Sequence, residues 1–119
     1  MLNDLILDAI VLPMLLKVCR LNQQKADRFK FGYLYERWFD DLISVIQADL
    51  LETKKKMYQE AKMKVDKIVQ TTEIVTYKVR TPIKEENLSF TPIELKGLTE
   101  KYLQYYLYKG DEKNNEQTI

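Results

Sequence analysis

The sequence predicts a mainly α-helical fold that carries a small antiparallel β-hairpin. Apolar residues recur at three- and four-residue steps over residues 2–21 and again over residues 33–69, which predicts two helices. The apolar period changes to two after Thr72, which predicts the hairpin, near residues 73–91. The expected order is a kinked N-terminal helix, a long central helix, the hairpin and a C-terminal helix. A chain of 119 residues is long enough for one such domain.

The N-terminal helix is expected over about residues 2–21, with apolar side chains around most of its circumference. Pro13 lies within it and removes one backbone donor, so we expect the helix to kink at that point or a second helix to begin near Leu12. The polar and basic residues that follow lead to Gly32, which marks a corner. The apolar segment 29–35 around this glycine is expected to fold inward around Trp38.

A single long helix is expected from Tyr33 to about Val69, because neither Gly nor Pro interrupts the apolar stripe. At 1.5 Å per residue it would be about 50 Å long, which exceeds the width of a small domain. Its second half keeps only a narrow apolar seam among lysines. This half is therefore expected to project and to contact either the C-terminal helix or a second subunit. The residues assigned to self-association, as a homodimer, are Met57, Ala61, Val65 and Ile68.

The hairpin is expected from two segments in which apolar and polar residues alternate. The first covers residues 75–80 and is ended by Pro82, and the second is shorter and contains Leu88 and Phe90. Residues 83–87 would form the connecting loop.

The C-terminal helix is expected to begin at Thr91, where Thr91 and Glu94 form a capping box around Pro92. Gly110 predicts its end. Residues 111–119 are expected to form a disordered, solvated tail, which leaves residues 1–110 as a single helical domain.

The composition argues against enzymatic chemistry. Histidine is absent and Cys19 is the single cysteine, which excludes His-dependent catalysis, His or Cys metal centres and an internal disulfide. Cys19 is expected to be a small core residue. Asp49 and Glu52, at i and i+3 on the long helix, are candidates for Mg²⁺ binding, but an ordinary solvated face is favoured. We therefore predict no catalytic residue, no metal site and no cofactor.

The N-terminal segment is not expected to enter a membrane. Its longest uncharged run, residues 9–16, is far below the roughly 20 residues of a transmembrane helix. Its first charged residues are aspartates, whereas a secretory signal begins with positive charge. We expect a cytoplasmic protein without membrane contact.

Lysine outnumbers arginine 15 to 4. Lysine codons are rich in A and T, so this ratio favours a low-GC bacterium or its phage as the source.

Basic residues are concentrated in the middle of the chain. Residues 52–84 carry a formal charge of +5, against −1 before them and −3 after them. Three consecutive helical lysines point about 100° apart and arginine is scarce, so a solvated face is favoured over nucleic-acid binding. Any such binding is expected to be weak and salt-dependent. The possible contacts are Lys54, Lys55, Lys56, Lys62, Lys78 and Arg80.

Tyrosine is concentrated in the C-terminal helix. Tyr105, Tyr106 and Tyr108 are the predicted partner-binding residues, because protein interfaces are enriched in tyrosine. The alternative is that these rings cover the seam of the long helix. Tyr108 points away from the apolar stripe of its own helix and is expected to be exposed, with Tyr105 or Tyr106 partly so.

These patterns predict a small non-enzymatic protein-interaction module, an adaptor or modulator that self-associates through the long helix. A DNA-binding regulator that uses residues 52–84 and the hairpin is the alternative function. A phage assembly component would share the same fold features.

Overall fold

The protein packs two helices and a three-stranded sheet around its N-terminal helix. The computed structural model describes the backbone of residues 2–117 and the side chains of residues 4–108. The predicted fold class, mainly α with a small antiparallel β element, is confirmed for this part of the chain. The elements in chain order are α1 (Leu2–Ala26), α2 (Gly32–Lys56), a π-helical turn (Met57–Ala61), β1 (Lys64–Gln70), β2 (Val75–Arg80), β3 (Glu85–Phe90) and α3 (Pro92–Gln117).

The N-terminal helix α1 is longer than predicted. It continues through Pro13 and ends at Ala26 rather than near Leu21, because the glutamines and the lysine that follow Leu21 are good helix formers. Although α1 is rich in apolar residues, no helix among the described residues is long and apolar enough to cross a membrane.

α1 and α2 form an antiparallel helical hairpin. The chain turns over residues 27–31, and Gly32, predicted to mark a corner, begins α2. Gln23 of α1 donates hydrogen bonds to the main-chain carbonyl of Glu36 at 3.0 Å and to the carboxylate of Asp40 at 2.6 Å. The end of α1 therefore lies beside the start of α2.

The prediction of one long helix is wrong beyond Lys56. α2 ends there, a single π-helical turn follows, and Lys62 adopts the left-handed conformation with φ 50° and ψ 41°. The chain then continues into β1, whose Val65, Ile68 and Val69 are β-branched residues that favour strands. The four-then-three apolar spacing thus runs through three different elements and marks no single helix face.

The sheet has the strand order β1-β2-β3, and both neighbouring pairs are antiparallel. β2 and β3 form the predicted hairpin, in unbroken register along all six residues of each strand. β1 adds a third strand that the sequence analysis does not predict. Its pairing with β2 is interrupted by a bulge between Lys67 and Val69.

Two core clusters meet along α1. The first joins α1 to the sheet and to α3, and the second joins the three helices. Cys19 lies in the second cluster, as predicted, and burial raises the pKa of its thiol. The buried residues of the first cluster are Ile6, Ile10, Val11, Met63, Val75, Tyr77, Val79 and Leu95. Those of the second are Leu12, Leu15, Leu16, Cys19, Ile43, Ile46 and Tyr106.

The C-terminal helix α3 begins at the predicted capping box. The hydroxyl of Thr91 accepts the backbone N–H of Glu94 at 3.1 Å, and the Glu94 carboxylate accepts the backbone N–H of Thr91 at 3.2 Å. The predicted end at Gly110 is wrong, because the backbone stays helical to Gln117 and one internal glycine costs a helix only about 1 kcal/mol. Residues 118 and 119 and the side chains from residue 109 onward lie outside the described residues, so the solvated tail remains a prediction.

Candidate functional site

An open groove of 980 Å³ lies between α1, the end of α2 and α3. Its volume is at the upper end of the range found for ligand-binding clefts. We call it the tyrosine groove, defined by Asp8 of α1, Asp49 of α2 and Tyr102, Tyr105 and Tyr106 of α3.

Two tyrosines of α3 are hydrogen-bonded to carboxylates of the helical hairpin. The Tyr102 hydroxyl donates to Asp8 at 2.7 Å, and the Tyr106 hydroxyl donates to Asp49 at 2.6 Å. Residues four apart lie on the same face of a helix, so both rings point to the same side of α3. The two bonds therefore attach α3 to α1 and to α2.

Burial and the neighbouring carboxylates keep both tyrosine hydroxyls protonated. Burial raises the pKa of Tyr102, and the hydrogen bond to Asp8 and the charges of Asp8 and Asp4 raise it further. Burial also raises the pKa of Tyr106, followed by its hydrogen bond to Asp49 and the charge of that carboxylate. Neither phenol is therefore ionised near neutral pH.

The raised pKa values predict a late step in alkaline titration. The chain has eight tyrosines, and Tyr102→Phe and Tyr106→Phe should each remove one ionisation from the most alkaline part of the ultraviolet absorbance curve. The folded-state pKa of each ring exceeds the unfolded value of about 10, so the stability linked to it is intact below that pH. This stability is lost as the pH rises through the folded-state pKa. Loss of the earliest ionisation in either variant would contradict the assignment.

The tyrosine groove is acidic. Its lining carries five carboxylates and two lysines, a formal charge of −3. No group of three or more His, Cys, Asp or Glu side chains in the described part of the chain is arranged to hold a metal ion. The groove lining thus combines carboxylates with tyrosine rings. The carboxylates belong to Asp4, Asp8, Asp49, Glu52 and Glu60, and the lysines are Lys56 and Lys101.

The predicted partner-binding tyrosines have different environments. Tyr105 lines the groove with 57% of its surface exposed, and its ring packs edge-on against that of Tyr106 with 5.5 Å between centroids. Tyr106 is buried, so its ring belongs to the core and offers little surface to a partner. Tyr108 is exposed, as predicted, but does not line the groove.

Most of the carboxylates in the groove are missed by sequence reasoning. Asp4 and Asp8 lie one helical turn apart in the largely apolar first half of α1, and this spacing was the available signal. Glu60 was not predicted to join this site because the sequence analysis placed it in the long helix. It lies instead in the π-helical turn, where its side chain points in a different direction relative to α2.

The residues assigned to self-association do not share a helix face. Met57 and Ala61 lie in the π-helical turn and Val65 lies in β1, and all three pack against the first core cluster. Ile68 is exposed at the bulge of β1. The predicted seam is therefore wrong, because the chain's own core covers most of it. Self-association itself stays a prediction.

The predicted nucleic-acid contacts divide into two groups. Lys54–Lys56 and Lys62 are exposed. Lys78 and Arg80 form ion pairs with Glu85, at 2.9 and 3.3 Å, on the outer face of the hairpin. The hydrogen bond and charge of Lys78, with a smaller effect of Arg80, lower the pKa of the Glu85 carboxyl. These last two basic residues are thus already paired with an acid.

The apolar segment around Gly32 does not fold inward, so that prediction is wrong. Trp38 is 47% exposed, and the large apolar residues of segment 29–35 are exposed as well. The turn closes tightly here, because Ala26 and Gly32 are buried and a Cβ atom on Gly32 would overlap the main-chain carbonyl of Ala26.

Three of the exposed rings, Phe29, Tyr35 and Trp38, each contact another aromatic ring. Phe29 and Tyr35 meet edge to face, with 5.6 Å between centroids, and Trp38 packs in the same way against Phe39. We call residues 25–38 the aromatic corner. Its exposed large apolar residues are Phe29, Phe31, Tyr33, Leu34, Tyr35 and Trp38.

Comparison with known proteins places the chain in a family. The sequence model of the family described as YhjD protein matches residues 2–111. The chain belongs to the YhjD protein family. The tyrosine groove and the aromatic corner both fall within the residues that the YhjD model matches. No curated protein and no solved structure matches the chain.

Proposed function

We propose that the protein is a non-enzymatic interaction module, an adaptor or modulator, that binds a basic segment of a partner protein in the tyrosine groove. One observation carries the proposal: an open cleft of 980 Å³ combines a formal charge of −3 with a tyrosine-lined wall, in which Tyr105 is 57% exposed. Tyrosine provides large contact area at small entropic cost, which explains its enrichment at protein interfaces. The excess of carboxylates favours lysine and arginine in the partner.

The hydrogen bonds within the groove support binding rather than catalysis. Asp8 and Asp49 each accept a bond from a tyrosine and so hold α3 against the hairpin. The raised pKa values of Tyr102 and Tyr106 prevent these phenols from acting as bases near neutral pH. The groove is then a preorganised surface whose polar groups are already oriented.

The proposal includes a cytoplasmic location. Cys19 is a free, buried thiol, which suits the reducing environment of the cytoplasm.

A DNA-binding regulator is the less favoured function. Lys78 and Arg80 are paired with Glu85 and would have to exchange that carboxylate for phosphate.

A pair of labelled synthetic peptides tests the proposal. One peptide contains lysine, arginine and phenylalanine separated by serine, and in the other glutamate replaces every basic residue. Fluorescence anisotropy should show saturable binding of the basic peptide alone, and added salt should weaken it because much of the groove is open to solvent. Tyr105→Ala should weaken binding by about fivefold or more, the effect of losing an aromatic anchor worth about 1 kcal/mol.

Tyr108→Ala is the matched control for this experiment. Tyr108 is a tyrosine of the same helix, is exposed, and lies outside the groove lining. Its replacement should leave the peptide affinity unchanged and the stability within about 0.5 kcal/mol. Equal affinity for the acidic peptide, or equal loss of affinity in the two variants, would overturn the proposal.

A further inference from the structure

The aromatic corner is a second surface, to which the proposed function assigns no role. Its six exposed apolar side chains are accompanied by four basic and two acidic residues, so the corner has a formal charge of +2. Large contiguous apolar patches on protein surfaces commonly mark interaction sites. The basic residues are Lys25, Arg28, Lys30 and Arg37, and the acidic residues are Asp27 and Glu36.

The aromatic corner and the tyrosine groove are complementary in charge and in chemistry. The groove has a formal charge of −3 and the corner has one of +2. Aromatic rings in the corner can pack edge to face on the groove tyrosines, and basic side chains can lie over the same rings or pair with the carboxylates. Such pairing of cation and ring already occurs within the corner, where the Lys30 ammonium lies 5.9 Å from the centroid of the Phe31 ring.

The two surfaces lie at opposite ends of the helical hairpin. The groove uses the first half of α1, which includes Asp8, whereas the corner begins at the end of α1, beside Ala26. The helix rises by about 27 Å between these two residues. A continuous helix therefore holds the corner away from the groove of its own chain, but not from the groove of another copy.

We infer that the aromatic corner of one copy docks into the tyrosine groove of a second copy. This inference rests on the proposed function and identifies the basic segment as residues 25–38 of the same protein. Docking of two corners on each other would bring like charges together, as would docking of two grooves. The contact is head-to-tail, so each added copy leaves one corner and one groove open, and the assembly grows as an open chain unless it closes into a ring.

Sedimentation velocity of the full chain tests the inference. At low concentration the average mass of the wild type should be that of the 14.2 kDa chain, and it should rise with concentration. An open chain should show no plateau at the mass of a dimer, whereas a closed ring should show a plateau at the mass of the ring. High salt should lower the average mass. Two charge-reversed variants, one for each surface, should be monomers: Arg28→Glu with Lys30→Glu in the corner, and Glu52→Lys with Glu60→Lys in the groove.

Mixing the two monomeric variants gives the decisive result. The corner variant keeps an intact groove and the groove variant keeps an intact corner, so together they should associate, first as a one-to-one dimer. Because the reversed corner and the reversed groove carry opposite formal charges, −2 and +1, the mixture should also grow beyond the dimer. Lys17→Glu with Arg20→Glu, at exposed positions outside both surfaces, is the control, with the same change of charge as the corner variant. It should assemble as the wild type does. All the reversed residues are exposed, and circular dichroism should show unchanged helix content in every variant.

The outcomes separate this inference from the proposed function. A wild type that stays monomeric at high micromolar concentration, or variants that do not form a dimer when mixed, overturns the head-to-tail contact. If the groove still binds the basic peptide in that case, and Tyr105→Ala still weakens it, the groove serves a different protein and the proposed function stands. Binding of the corner to nucleic acid or anionic vesicles without self-association also overturns the inference.

Discussion

Replacing Leu15 with alanine should lower the free energy of unfolding by about 2 to 5 kcal/mol, the range for truncation of a large buried side chain. Leu15 is 0% exposed and lies in the cluster that joins the three helices. This loss of stability has two sources: the apolar contacts that the leucine side chain makes, and the cavity that α2 and α3 cannot close when it is removed. Urea denaturation followed by circular dichroism measures it.

Leu51→Ala is the matched control for this substitution. Leu51 is also a leucine in a helix, but it is 68% exposed. Its replacement should change stability by no more than about 0.5 kcal/mol. If the two variants lost similar stability, the helices would not pack on the faces described for them.

Replacing Gly32 with alanine should destabilise the protein by about 1 to 3 kcal/mol, as overpacking of a closed site does. No described glycine has a positive φ, so the requirement at this position is one of space. A Cβ atom on Gly32 would overlap the main-chain carbonyl oxygen of Ala26, which is held in place by the backbone N–H of Phe29 at 3.0 Å. The corner between α1 and α2 would have to open.

Gly97→Ala is the paired experiment, and its expected effect has the opposite sign. Gly97 lies inside α3, and a Cβ atom there would have no neighbour within 4 Å. Alanine should stabilise the helix by about 0.5 to 1 kcal/mol, because it restricts the unfolded chain without a clash. The same chemical change should therefore move the two melting temperatures in opposite directions. Equal shifts would contradict the tight packing of the corner.

The helices and the hairpin could be predicted where one local pattern determines one element. The capping box at Thr91 predicts the start of α3, and its two hydrogen bonds are both present. The alternation along residues 75–80 predicts β2, because one side of that strand faces the core. Both signals act over a few residues and do not depend on distant contacts.

β1 could not be predicted in the same way. Met57, Ala61, Val65 and Ile68 fit a helical spacing by coincidence, and neither Gly nor Pro marks the boundary near Lys62. Pairing with β2 decides the conformation of residues 64–70, and that contact is formed outside the segment itself.

The candidate site was predictable only in part, for a related reason. Tyrosine enrichment points to α3 and includes Tyr105, which lines the groove. The carboxylates that complete the groove come from α1, α2 and the π-helical turn, so their proximity depends on how the helices pack. The exposure of Trp38 likewise depends on which face of α2 packs against α1, which composition does not reveal.

The hydrogen bond between Tyr102 and Asp8 joins residues 94 positions apart. A ribosome that adds about 5 to 20 residues per second needs roughly 5 to 20 seconds to make the chain between them. During that interval α2 can cover only one side of α1, because the other buried members of the first cluster, from Met63 to Leu95, have not all been synthesised. Each nascent chain therefore presents the apolar side chains of Ile6 and Ile10 to the solvent for several seconds. In that period a chaperone, or a second nascent copy, would compete with the chain's own sheet.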